Sequence, residues 1–105
     1  MKTFFDGVFI SRKALEEAGI EYPIKLEYYK TAGIENVEEK FGIEVVKTEF
    51  KEGTTNVETK EINNITNSEV EQNEILRILR DNEVTPFGVE DVLKEVLCND
   101  ATDVE

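Results

Sequence analysis

Histidine and tryptophan are absent from this 105-residue chain, which holds one cysteine, one methionine and two prolines. The lack of histidine removes the commonest general base and the commonest metal ligand. One cysteine without histidine cannot build the usual structural zinc sites. It also rules out an intramolecular disulfide, which fits a reducing compartment. The six glycines (Gly7, Gly19, Gly33, Gly42, Gly53, Gly88) stand apart, so none forms a phosphate-cradling loop. No run approaches the ~18 apolar residues of a membrane span. Residues Met1 to Gly7 lack the apolar core of a signal peptide. A cytoplasmic location is therefore expected.

Basic residues are scarce too: 12 against 24 acidic, a formal charge of −12. Binding to nucleic acid or to an anionic membrane needs Lys and Arg against phosphate, so neither is expected. Basic protein surfaces would be attracted instead. The plainer reading is that the charge keeps the protein soluble.

The apolar fraction of 39% and charged fraction of 34% describe a globular chain with a charged surface. Six Phe, three Tyr and many Ile, Val and Leu residues are available for a core. The length suits one domain. We expect residues 1–98 to form it and an acidic, flexible tail to occupy 99–105.

The pattern predicts an α+β fold. Thr3-Phe4-Phe5 and Val8-Phe9-Ile10 flank Asp6-Gly7, a favoured type I′ turn pair, so a hairpin is expected near 3–10. Ser11 should cap a short helix over Arg12 to Ala18 with Ala14, Leu15 and Ala18 inward, ended by Gly19. Ile24, Leu26 and Tyr28 alternate with Lys25, Glu27 and Tyr29, giving a strand over 24–31. Ala32 to Lys40 reads as a loop or as a short helix from Asn36, with Glu39 at capping-box spacing. Gly42 to Lys51 and Val57 to Ile62 should pair across a turn at Glu52 to Asn56, a hairpin over 42–62. Lys47, Glu49, Glu58 and Lys60 read as its solvated face.

Asn63 to Asn67 then reads as a polar connector. Ser68 and Glu71 form a capping box that opens a helix over 69–81, with Ile75, Leu76, Ile78 and Leu79 on its apolar face. Pro86 interrupts helix. A last helix is expected over 89–97, where Val89, Val92, Leu93, Val96 and Leu97 share a stripe.

The charge is unevenly spread. Residues 1–35 carry five basic and six acidic residues, 36–67 four and seven, and 68–105 three and eleven. The last segment thus holds −8 of the −12. Glu90, Asp91 and Glu95 lie off the apolar stripe of the last helix and make a candidate acidic docking face. An ordinary solvated helix face is the simpler account. Phe87 follows Pro86 in a connector, where it either folds back as a lid on the core, the commoner outcome, or anchors a partner.

No catalytic, cofactor-binding or metal-binding residues are expected, and the chain does not read as an enzyme. Cys98 has no histidine to activate it and acidic neighbours that would raise its pKa, so a packing role is expected. Acidic pairs such as Glu38-Glu39 mean little among 24 carboxylates. Of Tyr28 and Tyr29, adjacent in a strand, at most one can face a ligand.

Three stretches occur in order: Tyr22 to Tyr29 (YPIKLEYY), Phe41 to Lys47 (FGIEVVK) and Asn82 to Leu93 (NEVTPFGVEDVL). With Ile62 to Thr66 (INNIT), they resemble a family of short uncharacterised proteins from Gram-positive, largely anaerobic bacteria. The resemblance spans roughly 22–97 and leaves the first hairpin and helix outside. It implies a bacterial cytoplasmic protein and supplies no site residues.

The leading expectation is a protein-interaction or regulatory module with a basic partner. The alternatives are a small-molecule-binding domain or enzyme using carboxylates, an oligomeric assembly protein (a homodimer, for example) using an uncovered sheet face or edge, and an inhibitor that mimics nucleic acid.

Overall fold

The chain lays down its strands in an order that leaves each beside its neighbour in sequence. The structure, a computed structural model, describes residues 2–33 and 41–103, with side chains as far as residue 97. The helix start expected at Asn36, the Glu38-Glu39 pair and the side chains of Cys98 and the last acidic residues lie outside that description.

The elements are β1 (Lys2–Phe9), α1 (Arg12–Glu17), β2 (Ile24–Ala32), β3 (Phe41–Lys51), β4 (Thr54–Thr66), α2 (Glu69–Asp81), a 3-10 turn (Pro86–Gly88) and α3 (Val89–Asp103). The strands form one antiparallel sheet in the order β1-β2-β3-β4. The fold is α+β, as the pattern implies.

The hairpin expected at 3–10 does not form. Residues 2–9 make one strand, paired along its length with β2. Two three-residue arms would bury little, whereas the nine-residue β2 offers a full partner. Asp6-Gly7 follows a β-bulge, where Phe5 is the extra residue between the pairs Phe4↔Tyr29 and Asp6↔Tyr28. The Asp6 carboxylate accepts from the Gly7 N–H at 2.8 Å and from Arg80 Nη1 at 2.9 Å, which fastens the bulge to α2. The bulge breaks the alternation, so Phe4 contacts Tyr29 while Phe5 packs against the core.

Side-chain alternation places Leu26, Tyr28, Ile43 and Val45 on the helix-covered face of the sheet. There they pack with Ile75, Leu76 and Leu79 of α2, and with Val84, Val89 and Leu93. The Tyr28 hydroxyl donates to the Val84 carbonyl at 2.8 Å, satisfying both groups inside the core. Burial pushes this phenol's pKa far up.

The capping of α2 follows the sequence in half. Ser68 Oγ accepts from the Glu71 N–H at 3.2 Å, but the Ser68 N–H donates to Thr66 Oγ1 and not to Glu71. Ile78, expected inward, is exposed, and the inward place at the start of the helix belongs to Gln72. Its Nε2 donates to the carbonyls of Thr31 (3.0 Å) and Gly42 (2.6 Å), tying α2 to β2 and β3.

Three boundaries differ from expectation. β4 continues through Asn63–Thr66, passing the supposed connector by an irregularity in which Asn64 takes φ 56°. The turn before it contracts to Glu52-Gly53, with Gly53 at φ 80°. α3 runs six residues past Leu97 to Asp103. α1 is capped by Ser11, whose Oγ accepts from Ala14 N–H, and is followed by Gly19 at φ 73°. It buries no residue fully, and Ala18 is exposed.

Candidate functional site

Pro86 and Val89 are buried, and the two residues between them lie on the surface side of the turn. The Gly88 N–H donates to the Thr85 carbonyl at 3.0 Å and closes that turn. The constraint pushes Phe87 outward: the residue is 93% exposed. The lid expectation is therefore corrected. Pro86 and Val89 take the inward positions of this turn, which leaves Phe87 an outward one.

Glu90 is next on the same flank. Its Oε1 lies 2.6 Å from Lys60 Nζ, which crosses from β4. The hydrogen bond and charge of Lys60 hold the Glu90 carboxyl below its usual pKa. This ion pair separates two open hollows. One, of about 540 Å³, includes Glu58, Pro86 and Phe87 in its wall. The other, of about 390 Å³, runs between β4 and α3 over Ile62, Ile65, Leu93 and Leu97.

Asp91 and Glu95 lie further round α3. At ~100° per residue, Asp91 sits ~100° and Glu95 ~140° round α3 from Glu90. Both are exposed, and neither has an ion pair among the described residues. The structure thus brings Phe87 and Glu90 together and places Asp91 and Glu95 on the adjoining outer face. Glu90 and Asp91 also stand in the first turn of α3, where the helix dipole favours carboxylates.

Two further C-terminal carboxylates are paired besides Glu90. Glu69 meets Lys30 at 2.6 Å, and Asp81 meets Arg80 at 3.0 Å. Lys30 lowers the Glu69 pKa, and Arg80 lowers that of Asp6. Lys47 and Glu49 are not on a solvated face. They continue the helix-covered face beyond the helices and are largely enclosed, with Lys47 3.4 Å from Glu58 and the Tyr22 hydroxyl donating to Glu49 at 3.1 Å.

The opposite face of the sheet holds what the sequence reading missed. The cross-strand pairs put Phe4, Phe9, Tyr29, Val46, Phe50 and Val57 there. Phe4 meets Tyr29 edge-on at 5.6 Å, and Phe9 lies 6.4 Å from Phe50. Phe4, Phe9, Phe50 and Val57 are all exposed. The six Phe were expected to supply the core, yet none is fully buried. A signal was available: β3 carries apolar residues at both parities, Ile43 and Val45 on one, Val46 and Phe50 on the other.

Residues 7–99 match a family of unknown function, DUF6514. The chain belongs to this family. The match is wider than the 22–97 of the sequence resemblance: it takes in α1 and the end of β1. No curated protein and no solved structure matches the chain. The family's description assigns no activity, so its chemistry is read from the side chains alone. Among the described residues no group of three or more His, Cys, Asp or Glu is placed to hold a metal. No helix among the described residues is long and apolar enough to cross a membrane.

Proposed function

We propose that this protein is a protein-interaction or regulatory module, not an enzyme. Its partner seat is the corner made by Phe87, Glu90 and the outer face of α3. The observation that carries this reading is the projection of Phe87 from a turn anchored by buried Pro86. An exposed aromatic on an anchored turn has only two side-chain torsions to order on binding, which suits an anchor. Asp91 and Glu95 beside it, with no ion pair among the described residues, favour a basic partner segment bearing an apolar residue. The setting is the cytoplasm of a Gram-positive, largely anaerobic bacterium.

Mimicry of nucleic acid has less support, because it needs carboxylates on one continuous face. Here Glu27, Glu44 and Glu61 share the open sheet face, while Asp91 and Glu95 lie on α3. A carboxylate enzyme has less support as well, since both hollows that Glu90 lines are open and Glu90 between them is paired.

The test is affinity capture from the native host at low and high salt. Bait proteins are the wild type, Phe87→Ala, and the double reversal Asp91→Lys with Glu95→Lys. A partner should be lost from both variants and weakened by salt, because exposed charges are screened within ~8 Å at physiological ionic strength. Partners unchanged by both variants would overturn the reading.

A further inference from the structure

We infer that the open sheet face is a dimer interface, covered by the same face of a second copy of this chain. This surface is separate from the Phe87 corner and does not depend on it.

The first ground is the division of charge. The charged residues that the register places on the open face are Lys2, Lys25, Glu27, Glu44 and Glu61, a net of −1 in a chain of −12. Four of these five are already paired, Lys2 with Glu44 at 3.1 Å and Lys25 with Glu27 at 4.0 Å. On the other side of the sheet, residues 69–97 of α2, α3 and their connection carry eight acidic and three basic residues, a net of −5. Any association through the helical side sets like charges against each other. Association through the sheet face directs both helical layers outward to solvent, which minimises repulsion between the copies.

The second ground is the chemistry and extent of the face. Of the seven exposed large hydrophobics among the described residues, four (Phe4, Phe9, Phe50 and Val57) lie on it. Aromatic pairs stand at both ends, Phe9 with Phe50 and Phe4 with Tyr29. Aromatic enrichment with paired charges is the composition of an interface centre. The molecule measures 45 × 32 × 17 Å, a sheet with a helical layer on one side. The apolar residues run across the sheet, from Phe4 and Phe9 on β1 to Val57 on β4. Sheets that pack face to face bury such surfaces with strands nearly aligned. With the strands of the second copy reversed, the Lys25 end of each copy lies over the end that carries Glu44 and Glu61 of the other.

The experiment is sedimentation equilibrium of the full chain from micromolar to millimolar concentration. The expected mass at high concentration is about twice the 12.0 kDa chain. Thr48→Lys and Val57→Lys place a cation in the middle and at the edge of the face. Val57 is exposed, so its replacement leaves the core intact, and circular dichroism verifies folding of both. Each should raise the dissociation constant by roughly 100-fold, since an unpaired charge is buried. Phe87→Ala, on the other side of the molecule, should leave the mass unchanged. A monomer at every concentration would overturn the inference. So would a dimer that survives both sheet-face variants, or one that Phe87→Ala dissociates.

Discussion

Lys60 of edge strand β4 and Glu90 of α3 meet at 2.6 Å, and this pair fastens the last helix to the sheet beside Phe87. The two residues are thirty positions apart in sequence. Their meeting determines which carboxylates of α3 remain available to a partner.

That contact predicts a pH-dependent stability difference. Lys60 lowers the Glu90 pKa. A carboxylate with a depressed folded pKa stabilises the fold above its unfolded pKa, and the contribution is lost as pH falls through the folded value. Lys60→Met should therefore be less stable than wild type at pH 7, by a small amount because both partners are exposed. The difference should shrink to nothing in acid, below the depressed Glu90 pKa. Urea unfolding of both proteins across pH checks this, since urea leaves ion pairs unscreened. A difference that stays constant down to the lowest pH would contradict the assignment.

Tyr28 carries a second prediction. Its hydroxyl is the donor to the buried Val84 carbonyl. Tyr28→Phe keeps the ring but orphans that acceptor, at a cost of about 1–2 kcal/mol. Burial also raises the phenol's pKa, so the folded state holds this proton more tightly than the unfolded state. Stability should accordingly fall as pH rises above ~10, the unfolded tyrosine value. The alkaline fall should be shallower in Tyr28→Phe. Equal slopes for the two proteins would remove Tyr28 as the cause.

The parts of the fold that local rules control were legible in the sequence. Ser68 before a 3.6-residue apolar period defines α2, and the alternation from Ile24 defines β2. What was not legible depends on contacts between distant segments. Asp6-Gly7 has hairpin chemistry, but a nine-residue partner at β2 outcompetes a two-residue turn. Gln72 reads as a surface residue until β2 and β3 present it with two free carbonyls. At the candidate site, the acidic character of α3 was evident, whereas the pairing of Glu90 with Lys60 was not. Phe87 could not be placed because a single aromatic after proline has no period to orient it. An uncovered sheet face was expected as one alternative, but its residues were not assigned, because an apolar residue at either parity of a strand satisfies the same β-propensity.

Gly42 is a position where backbone approach dictates the residue. A Cβ there would collide with the Ile62 carbonyl and come within 2.7 Å of Thr31 Oγ1 and 2.9 Å of Asn63 Cα. Its own carbonyl accepts from Gln72. Gly42→Ala should destabilise by about 1–3 kcal/mol, the range for forced overpacking. Gly53→Ala is the informative comparison. Nothing lies within 4 Å of a Cβ there, so its cost comes from the positive φ alone. Thermal unfolding of both variants separates a steric cause from a conformational one. An unperturbed Gly42→Ala protein would show that β4 can move away from β3 at this point.

The end of α2 offers a change in the opposite direction. Val84 N–H donates to the Leu79 carbonyl at 2.9 Å, and Glu83 N–H to the Arg80 carbonyl at 3.1 Å. These are the two bonds of a Schellman motif, in which the residue after the cap takes a left-handed conformation. Glu83 occupies that place with φ 50°. Glycine adopts it without the Cβ clash of ~1–2 kcal/mol. Against this stands the greater freedom of glycine in the unfolded chain, worth ~0.5–1 kcal/mol. The Glu83 side chain contributes only a 3.3 Å contact to the Ser11 N–H. Glu83→Gly should therefore stabilise the protein by about 0.5–1 kcal/mol, read as a higher urea midpoint with an unchanged slope. Glu83→Ala keeps the Cβ and loses the same carboxylate, so it should show no gain. If alanine stabilised as much as glycine, the benefit would come from removing negative charge, and backbone strain at residue 83 would not be its source.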